Sequence, residues 1–303
     1  MAKSSPNPAL LRAGKLENSP YLERVGESKK RLIVVSLLWS PNYKEMTKQF
    51  TKLTDYQWAA ISPFLPLKRK RKLDLRNVMN AILWLLRTGC QWRNLPDEHP
   101  HWQAVYYYFD RLKTDGTFEQ INRKLNQIDR KQEEREAFPS AFCVDSQSVK
   151  IAPMICEYRG LDPHKKVNGR KRQLLVDTGG RLWAAHVHAA NDADGPASLP
   201  LVSDILWYGD RIEKVFGDGA YGGVFAKELA RCGIDFEQAS RPESAQGFVP
   251  VAKRWVVERS IGWTNFFRRI VKDYEYTLSS SVSWLLLANI QMMLQRSKPI
   301  SQT

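Results

Sequence analysis

The sequence predicts an α/β protein in which a smaller all-helical segment precedes a mixed sheet flanked by helices. Over residues 47–130, apolar positions recur at helical spacing between capping residues and proline stops. From about residue 140 the pattern changes to short apolar runs, which later alternate with helical runs. Early strands followed by alternating helices and strands indicate an α/β sheet.

The composition indicates a globular protein with a large excess of positive charge. Hydrophobic residues make up 43% of the 303 residues, and 46 Lys and Arg against 32 Asp and Glu give a net charge of +14. Such an excess indicates a polyanionic partner, most often nucleic acid, although charge alone does not distinguish DNA from RNA or an anionic membrane surface. No apolar stretch approaches the ~20 residues that span a bilayer, and the four cysteines form no CxxC pair. We therefore expect a cytoplasmic, nucleoid-associated protein.

Local patterns divide the chain into three predicted segments. Residues 1–45 hold Ser, Pro, Asn and Lys in irregular order and are predicted to form a poorly ordered N-terminal extension, with a short packed strand as the alternative. Residues 46–135 are predicted to form a helical domain and residues 136–303 an α/β domain, in keeping with roughly 150 residues per domain.

Three helices of the helical domain can be placed from their end signals. Thr54 or Asp55 can cap the first helix. Asp74 can cap the second helix, and Gly89 suits its C-terminal cap. A third helix, over residues 101–112, is rich in aromatic residues. Helix, turn and helix in a basic context resemble a DNA-binding helix-turn-helix, although most such pairs only pack together.

Apolar runs and turn residues predict the elements of the α/β domain. Asp177-Thr178-Gly179-Gly180 is a hairpin-turn sequence between two strands. The predicted strands cover residues 141–149, 172–176, 181–188, 215–217 and 234–239. The predicted helices cover residues 197–206, 225–231, 251–270 and 283–296.

Three acidic residues stand in settings that favour a functional role. Asp145 lies inside an apolar strand, where a charged group costs free energy unless it is paired or bound to metal. Asp218 ends a second strand between two glycines, at the sheet edge where ligands bind in open α/β folds. Glu258 lies on the long helix, on the arc opposite the core-facing residues and among cations.

Carboxylates from two strands and a helix would together form an oxygen-rich site for Mg²⁺ or Mn²⁺. Two such ions can activate the attacking oxygen and stabilise the leaving oxygen of a phosphodiester. Taken singly, an Asp in a strand or a Glu on a helix is more often structural or solvated, so the prediction depends on the combination. Asp145 is preferred to Asp177, because Asp177 precedes a Gly-Gly turn.

Several separated motifs follow one another in a recognisable order. In the α/β half they are VDSQSVK (residues 144–150), KKVNGRKRQLLVDT (165–178), VFGDGAY (215–221) and RWVVER (254–259), followed by Trp263, Phe267-Arg268-Arg269 and Asp273-Tyr274-Glu275. In the helical half they are LTDYQW (53–58) and TGCQWRNLP (88–96). Together they resemble the DDE transposases of bacterial insertion sequences, and most closely the insertion sequence 5 family. The resemblance runs from about Met46 to Arg296 and covers most of the chain.

This resemblance implies an RNase H-like catalytic domain preceded by a helical DNA-binding domain. It implies that Asp145, Asp218 and Glu258 are the catalytic acids and hold two Mg²⁺ or Mn²⁺ ions. The family pattern around the third acid has Tyr, Arg and Lys where this chain has Val251, Arg254 and Asn265. Only the Arg fits, and Arg268 or Arg269 could substitute for the missing cation. Gln173 stands where many relatives have His, which leaves its role open.

Basic residues near these motifs are the predicted DNA contacts, because phosphate contacts commonly come from such clusters. One run of five cations follows the first helix, and a second cluster lies beside the first strand, where a solvated basic loop is the alternative. The predicted contacts are Lys68, Arg69, Lys70, Arg71, Lys72, Lys165, Lys166, Arg170, Lys171, Arg172, Arg254, Arg268 and Arg269.

Other features of the sequence receive a structural interpretation. His186 and His188 alternate on one strand face but have no evident third nitrogen or sulfur ligand, so zinc is not expected. Arg259 lies on the apolar side of the long helix and is predicted to snorkel or to pair with an acid. The sequence has no P-loop and no GxGxxG fingerprint, so we expect no nucleotide cofactor.

The resulting hypothesis is a cut-and-paste transposase. The helical domain would bind terminal inverted repeats, and the catalytic domain would cleave the strand and direct the freed 3′-hydroxyl at target DNA. Its partners would be double-stranded DNA and further copies of the chain, with no membrane. The alternatives are a nuclease of the same fold that never joins ends, and a DNA-binding repressor whose catalytic site has decayed.

Overall fold

The computed structural model describes residues 49–67, 73–239 and 254–297, apart from the side chain of Arg254. The predicted extension and the cation run at residues 68–72 lie outside the described residues. In chain order the helices are α1 (Asp55–Ile61), α2 (Leu75–Thr88), α3 (Trp102–Thr114), α4 (Thr117–Gln132), α5 (Asp194–Ala197), α6 (Pro200–Trp207), α7 (Val224–Arg231), α8 (Arg254–Thr264), α9 (Arg268–Val271) and α10 (Leu278–Arg296). The strands are β1 (Ala141–Lys150), β2 (Gly160–Asp162), β3 (Val167–Asp177), β4 (Leu182–Ala189), β5 (Lys214–Gly217) and β6 (Asp235–Gln238).

The first two helices begin and end at the predicted caps. The Thr54 side chain accepts a hydrogen bond from the Gln57 N–H, and the Gln57 side chain accepts one from the Thr54 N–H. This reciprocal pair satisfies two N–H groups that the first turn of a helix leaves unpaired. Asp74 caps α2 by accepting from the Arg76 N–H, and Gly89 ends it in the left-handed region, at φ 69°.

Within the described residues, a six-stranded mixed sheet forms the centre of the C-terminal half. Its main order is β2-β3-β1-β5-β6, and β4 also pairs with β3. The long strands β1 and β3 are antiparallel, with Phe142 opposite Asp177. β5 lies parallel to β1 on the other side, with Cys143 opposite Phe216. The mixed sheet with flanking helices confirms the predicted α/β class.

Each face of the sheet has its own apolar core, because successive residues of a strand point to opposite faces. Phe142 and Val144 of β1 belong to a cluster that α6 and α7 complete with residues such as Ile205 and Phe225. Cys143 belongs to the larger cluster on the other face, together with residues of the N-terminal helices, α8 and α10. The odd-numbered positions of β1 therefore face the side of the sheet that α8 covers.

The C-terminal helix α10 joins the helical segment to the sheet. Trp284 of α10 stacks on Phe109 of α3, with ring centroids 4.7 Å apart. Asn289 of α10 donates hydrogen bonds to the side-chain oxygens of Asn122 and Asn126 on α4, at 2.7 and 2.9 Å. The two predicted domains therefore share one core on this face of the sheet.

The single helix predicted over residues 251–270, of which residues 251–253 lie outside the described part, is interrupted. α8 ends at Thr264, and α9 follows after a turn. Between them Phe267 takes an extended conformation and is fully buried. The break allows both Phe267 and Arg269 to enter the core, since residues two apart on a straight helix do not face the same way.

Two other boundaries differ from the prediction for local reasons. The helix predicted over residues 197–206 is divided into α5 and α6, and Pro200 begins the second piece, where its missing N–H is tolerated. α10 begins at Leu278, earlier than predicted, because the Thr277 side chain caps it by accepting from the Ser280 N–H. None of the described helices is long and apolar enough to cross a membrane.

Candidate active site

Asp145 lies on β1 and Asp218 directly follows β5, and these two parallel strands are neighbours in the sheet. Cys143 of β1 pairs with Phe216 of β5, and both belong to the core on the α8 face. Asp145 and Asp218 each lie two residues further along the chain, and both have an extended or strand backbone. The pleat therefore directs both carboxylates to the α8 face of the sheet, beside each other.

The glycine before Asp218 allows the two strands to approach closely. A Cβ added at Gly217 would lie 2.9 Å from Val144 Cγ1 and 3.0 Å from the ring of Phe236. A larger residue at this position would push β5 away from β1 and separate Asp145 from Asp218. The glycine that the sequence places beside the acid is thus required by packing.

Backbone N–H groups orient both aspartates. Asp145 Oδ1 accepts a hydrogen bond from the Ser146 N–H at 2.7 Å. Asp218 Oδ1 accepts from the Ala220 N–H at 2.9 Å and so caps the short 3₁₀ turn that follows. Both side chains are half-buried. Each carboxylate therefore has one oxygen held by its own loop or strand.

α8 lies along β1 on the face to which the aspartates point. Asn265, just past the end of α8, accepts a hydrogen bond from the Gln147 side chain at 3.3 Å. Earlier on α8, Ser260 donates to the Gly180 carbonyl in the β3–β4 turn at 2.8 Å, near the start of β1. Glu258 is half-buried and lies seven residues before Asn265, so the two share one stripe of the helix.

This stripe of α8 faces the row of β1 that carries Asp145, because Gln147 lies on the same face of the strand as Asp145. Asp145 thus lies on β1, Asp218 directly follows β5, which pairs with β1, and Glu258 lies on α8, which packs on β1. In the part of the chain that the structure describes, no group of three His, Cys, Asp or Glu side chains is arranged to hold a metal ion. The three predicted acids therefore form no preformed metal cage, although strand pairing brings the backbone positions of Asp145 and Asp218 next to each other.

On the opposite face of the sheet, a buried polar network surrounds Tyr221. The Tyr221 hydroxyl donates a hydrogen bond to Gln173 Oε1 at 2.5 Å. Burial raises the pKa of Tyr221 well above its ordinary value, and the negative charges of Asp145, Asp194 and Asp218 raise it further. The hydroxyl therefore stays protonated and remains a hydrogen-bond donor in the core on this face.

Gln173 extends this network across the sheet. Its Nε2 donates to Asp194 Oδ1 at 2.7 Å and lies 3.1 Å from His188 Nε2. Burial lowers the pKa of His188, so its ring is neutral at neutral pH. Gln173, whose role the sequence leaves open, thus accepts from Tyr221 and donates to its other neighbours. Sequence reasoning missed Tyr221, although its place in VFGDGAY, three residues after Asp218, was a signal that could have found it.

Lys165 brings a positive charge to the edge of the site. Its Nζ donates a hydrogen bond to the Ser146 carbonyl at 3.2 Å, next to Asp145. Asp162 organises this loop by accepting from two of its backbone N–H groups, at 2.9 Å each. Burial would raise the pKa of Asp162, but these two hydrogen bonds, one from the Ser148 hydroxyl and the charge of Lys171 outweigh it and hold the pKa below its ordinary value. Lys165 and Lys166 are both exposed, as a DNA contact requires.

The next three cations of the same basic run lie inside the protein. Arg170, Lys171 and Arg172 belong to β3, between β1 and β4, and are 0%, 6% and 2% exposed. Their partners are Asp273 for Arg170 at 3.4 Å, Asp194 for Lys171 at 3.3 Å and the Ile270 carbonyl for Arg172 at 2.7 Å. This burial corrects the prediction that these residues contact DNA, because a buried cation held by protein oxygens cannot reach a phosphate.

Arg269 requires the same correction, whereas its neighbour does not. The Arg269 side chain is buried, forms an ion pair with Glu275 at 2.6 Å and lies over the rings of Trp92 and Trp284. It therefore connects α9 to the helical segment and is not available to DNA. Arg268 is exposed and stays among the proposed contacts.

The side chains of the three predicted acids are of the chemical type that binds a hard divalent cation. Asp145, Asp218 and Glu258 offer carboxylate oxygens, which Mg²⁺ and Mn²⁺ prefer. Asp145 and Asp218 carry like charges at neighbouring positions on one face, and a bound cation would relieve their repulsion. The residues present therefore fit the predicted metal in the chemistry of their side chains.

Comparison with known protein families identifies the class of protein to which the chain belongs. Residues 53–122 match a family described as putative transposase of the IS4/5 family, and residues 136–293 match the transposase DDE domain. The second match covers more than half of the chain, so the chain belongs to the DDE transposases, of the IS4/5 type. Its mixed sheet with flanking helices has the RNase H-like α/β fold that the sequence predicts.

A curated relative covers only a small part of the chain. Over 73 residues the chain is 32% identical to an uncharacterised protein of Sinorhizobium fredii, y4sN. This stretch is 23% of the present chain and 58% of the relative. The chain thus spans little more than half the length of that protein, whose description assigns no activity.

Proposed function

We propose that the chain is an insertion-sequence transposase that cleaves DNA at the ends of its element and joins the freed ends to target DNA. The observation that carries this proposal is the parallel pairing of β1 with β5, which ends two residues before Asp145 and Asp218 and brings both positions to one face of the sheet. α8, which bears Glu258, covers the same face. Membership of the DDE transposases supports the same chemistry.

In this proposal Asp145, Asp218 and Glu258 hold two Mg²⁺ or Mn²⁺ ions. When bound, the ions would activate the attacking oxygen and stabilise the leaving oxygen of a phosphodiester. The chain itself orients Asp145 and Asp218 through backbone N–H groups. Lys165, held beside the site by the Ser146 carbonyl, can attract the phosphate.

The proposed reaction consists of two displacements at phosphorus. In the first, a water oxygen bonds to phosphorus, the bond from phosphorus to the 3′ oxygen breaks, and the departing 3′ oxygen takes up the proton that the water loses. In the second, the freed 3′-hydroxyl attacks a phosphodiester of the target and releases a new 3′-hydroxyl. Both are in-line displacements, so one set of ligands can serve both steps.

Exposed cations beside the site would bind the DNA backbone. Lys165 and Lys166 in the β2–β3 loop and Arg268 on α9 are exposed. We keep the cation run at residues 68–72 and Arg254 in the proposal, together with pairing of two copies on the element ends. The net charge of +14 favours such a polyanionic partner.

Substitution of the acids tests the proposal on a plasmid that carries the coding region and the DNA on either side of it. Asp145→Asn, Asp218→Asn and Glu258→Gln should each lower the rate of strand cleavage by about a thousandfold, since loss of a metal ligand removes several kcal/mol of transition-state stabilisation. DNA affinity should stay within about twofold, because the phosphate-binding cations remain. Asp210→Asn, on an exposed turn, is the matched control and should cleave like the wild type.

The assignment of the acids is wrong if Asp145→Asn cleaves at the wild-type rate. A second assay, in which precut element ends are incubated with target DNA, then distinguishes a transposase from a nuclease of the same fold. Joined products identify a transposase, whereas cleavage of intact ends without joining of precut ends identifies a nuclease.

A further inference from the structure

A second surface lies where β1 ends, beyond the predicted acids. Ile151, just past β1, forms a parallel bridge with Asp273, whose N–H donates to the Lys150 carbonyl at 2.9 Å. This pairing places the segment before α10 beside the segment that leads from β1 through β2. The two segments carry large side chains that are 45–65% exposed, namely Met154, Tyr158, Leu161, Tyr274 and Tyr276. We call Tyr158, Tyr274 and Tyr276 with Lys150 and Lys272 the tyrosine surface.

Arg170, buried beneath the tyrosine surface, holds the two segments together. Its Nη2 donates to the Glu157 carbonyl at 2.9 Å and to the Tyr276 carbonyl at 3.4 Å. Asp273 balances its charge at 3.4 Å. Because one guanidinium nitrogen binds both carbonyls, Tyr158 and Tyr276 are fixed on neighbouring backbone. The cation predicted to bind DNA thus organises a surface in place of contacting phosphate itself.

The backbone at Tyr158 is unfavourable for a tyrosine. Its φ of 53° lies in the left-handed region, which bulky residues rarely adopt and glycine adopts without strain. The side chain is 59% exposed, so core packing does not compensate for this strain. Strain at an exposed aromatic side chain is typical of a functional position.

Positive charge accompanies the rings. Lys272 Nζ lies 5.6 Å from the centroid of the Tyr274 ring, and Lys150 is exposed. Arg159 is half-buried nearby, and Glu157 contributes one negative charge, so the surface stays net positive. Aromatic rings among cations match the bases and phosphates of a nucleic-acid strand.

We infer that the tyrosine surface stacks on unpaired bases of the DNA strand, an inference that rests on the proposed function. Bases in a duplex stack on one another, so protein rings reach their faces only after unpairing. Lys150 lies five residues beyond Asp145 on β1, about 16 Å at roughly 3.3 Å per residue. A DNA strand in a duplex covers that distance in about five nucleotides, and an extended unpaired strand covers it in fewer. A strand held at the acids would thus present its unpaired bases to Tyr158 and Tyr276 a few nucleotides from the reacting phosphate.

The test compares two DNA probes with the full-length protein. One is a blunt duplex, and the other is the same duplex with a single-stranded 3′ extension that contains a fluorescent adenine analogue. The wild type should prefer the extended DNA and quench the analogue. Tyr158→Gly and Tyr276→Ala should each weaken binding to the extended DNA by roughly five- to a hundredfold and abolish the quenching, with blunt-duplex affinity unchanged. Trp207→Ala, at a tryptophan of α6 that is 72% exposed, is the control and should bind like the wild type.

Tyr158→Gly tests stacking without a loss of folding stability, because glycine adopts the left-handed backbone at this position without strain. The inference is overturned if both variants bind and quench the extended DNA like the wild type. It is also overturned if they change only the oligomeric state in sedimentation, which would assign the surface to contacts between copies. Asp145→Asn should lose cleavage but keep the preference for extended DNA. A wild type without that preference overturns the inference even when the acids prove essential for cleavage.

Discussion

The Tyr221 hydroxyl and Gln173 Oε1 are joined by a 2.5 Å hydrogen bond on the face of the sheet opposite the predicted acids. Gln173 is fully buried and in turn donates to Asp194. The ring of Tyr221 packs edge-on against Phe225, with centroids 5.7 Å apart. The layer that supports the turn after Asp218 is therefore held by a defined donor and acceptor as well as by apolar packing.

Removal of this hydroxyl should lower stability. Tyr221→Phe keeps the ring but leaves Gln173 Oε1 buried without its donor, which costs about 1–3 kcal/mol of the free energy of unfolding. Urea unfolding should show a lower midpoint with an unchanged slope. Tyr106→Phe, at a tyrosine that is 47% exposed, should change the free energy by less than about 0.5 kcal/mol. Equal midpoints for Tyr221→Phe and the wild type would show that the bond contributes nothing.

Two consecutive arginines should affect different properties. Arg269→Ala removes one partner of a buried ion pair and leaves Glu275 uncompensated, which costs about 3–5 kcal/mol of stability. Arg268→Ala should leave the unfolding midpoint unchanged but weaken DNA binding, and reduce the slope of log affinity against log salt by about 0.9 for one lost phosphate contact. Denaturant unfolding of both variants measures their stability, and salt titration of their DNA binding measures their phosphate contacts. A loss of salt dependence in Arg269→Ala that exceeds that in Arg268→Ala would contradict this prediction.

The elements that could be predicted are those whose cause lies within a few residues. Thr54, Asp74 and Gly89 act on N–H groups or a backbone angle within their own turn, so their types and spacing were sufficient. The environment of Asp218 was predictable for the same reason, since the strand, the glycines and the acid are consecutive. The proximity of Asp145 depends on strand pairing across 73 residues, so no local signal indicated it, and it was predicted from the combination of the acids and from the family resemblance.

Long-range partners explain what could not be predicted. The basic run before β3 continues into the strand without any local sign that Arg170 turns inward, because Asp273 lies far along the chain. Arg259 was expected to snorkel or to pair with an acid. It lies 4.5 Å from the ring centroids of both Trp255 and Trp263, four residues away on either side. That spacing places the three on one helix face, so the stacking could have been predicted from sequence.

Acid should destabilise the fold through Asp177. Burial would raise its pKa, but Arg181 and Arg130 with their hydrogen bonds outweigh this and lower it from the ordinary 3.8. A carboxyl whose pKa is lower in the folded state stabilises the fold above its unfolded pKa, and this contribution disappears as pH falls through the folded value. We expect the free energy of unfolding to decrease as pH falls below about 4.

Asp177→Asn tests this contribution. The variant leaves two buried guanidinium groups undercompensated, so it should lose about 3–5 kcal/mol at neutral pH and depend less on pH in the acid range. Asp210→Asn, on an exposed turn, should keep the wild-type dependence of the free energy of unfolding on pH. If the free energies of unfolding of Asp177→Asn and the wild type decreased in parallel as pH falls, the acid sensitivity would come from other carboxyls.

The packing of α4, α10 and β4 against one another should depend on the side-chain amide of Asn289. Asn289 accepts from the Leu182 N–H at 3.0 Å and donates to Asn122 and Asn126, which both donate to the Leu182 carbonyl. Asn289→Leu would leave the Leu182 N–H and two amide oxygens buried without these partners. At about 1–3 kcal/mol for each such group, the loss of stability should be at least about 3 kcal/mol.

Gln291, two residues further along α10, provides the matched control for Asn289. It is also buried, but its Oε1 has no hydrogen-bond partner among the described residues. Gln291→Leu should therefore be neutral or stabilising, because burial of an unpaired polar atom costs free energy that leucine avoids. Thermal unfolding of both variants should thus give shifts of different size, and only Asn289→Leu should lower the midpoint by several degrees. Equal shifts would mean that apolar contacts alone hold the helical segment against the sheet.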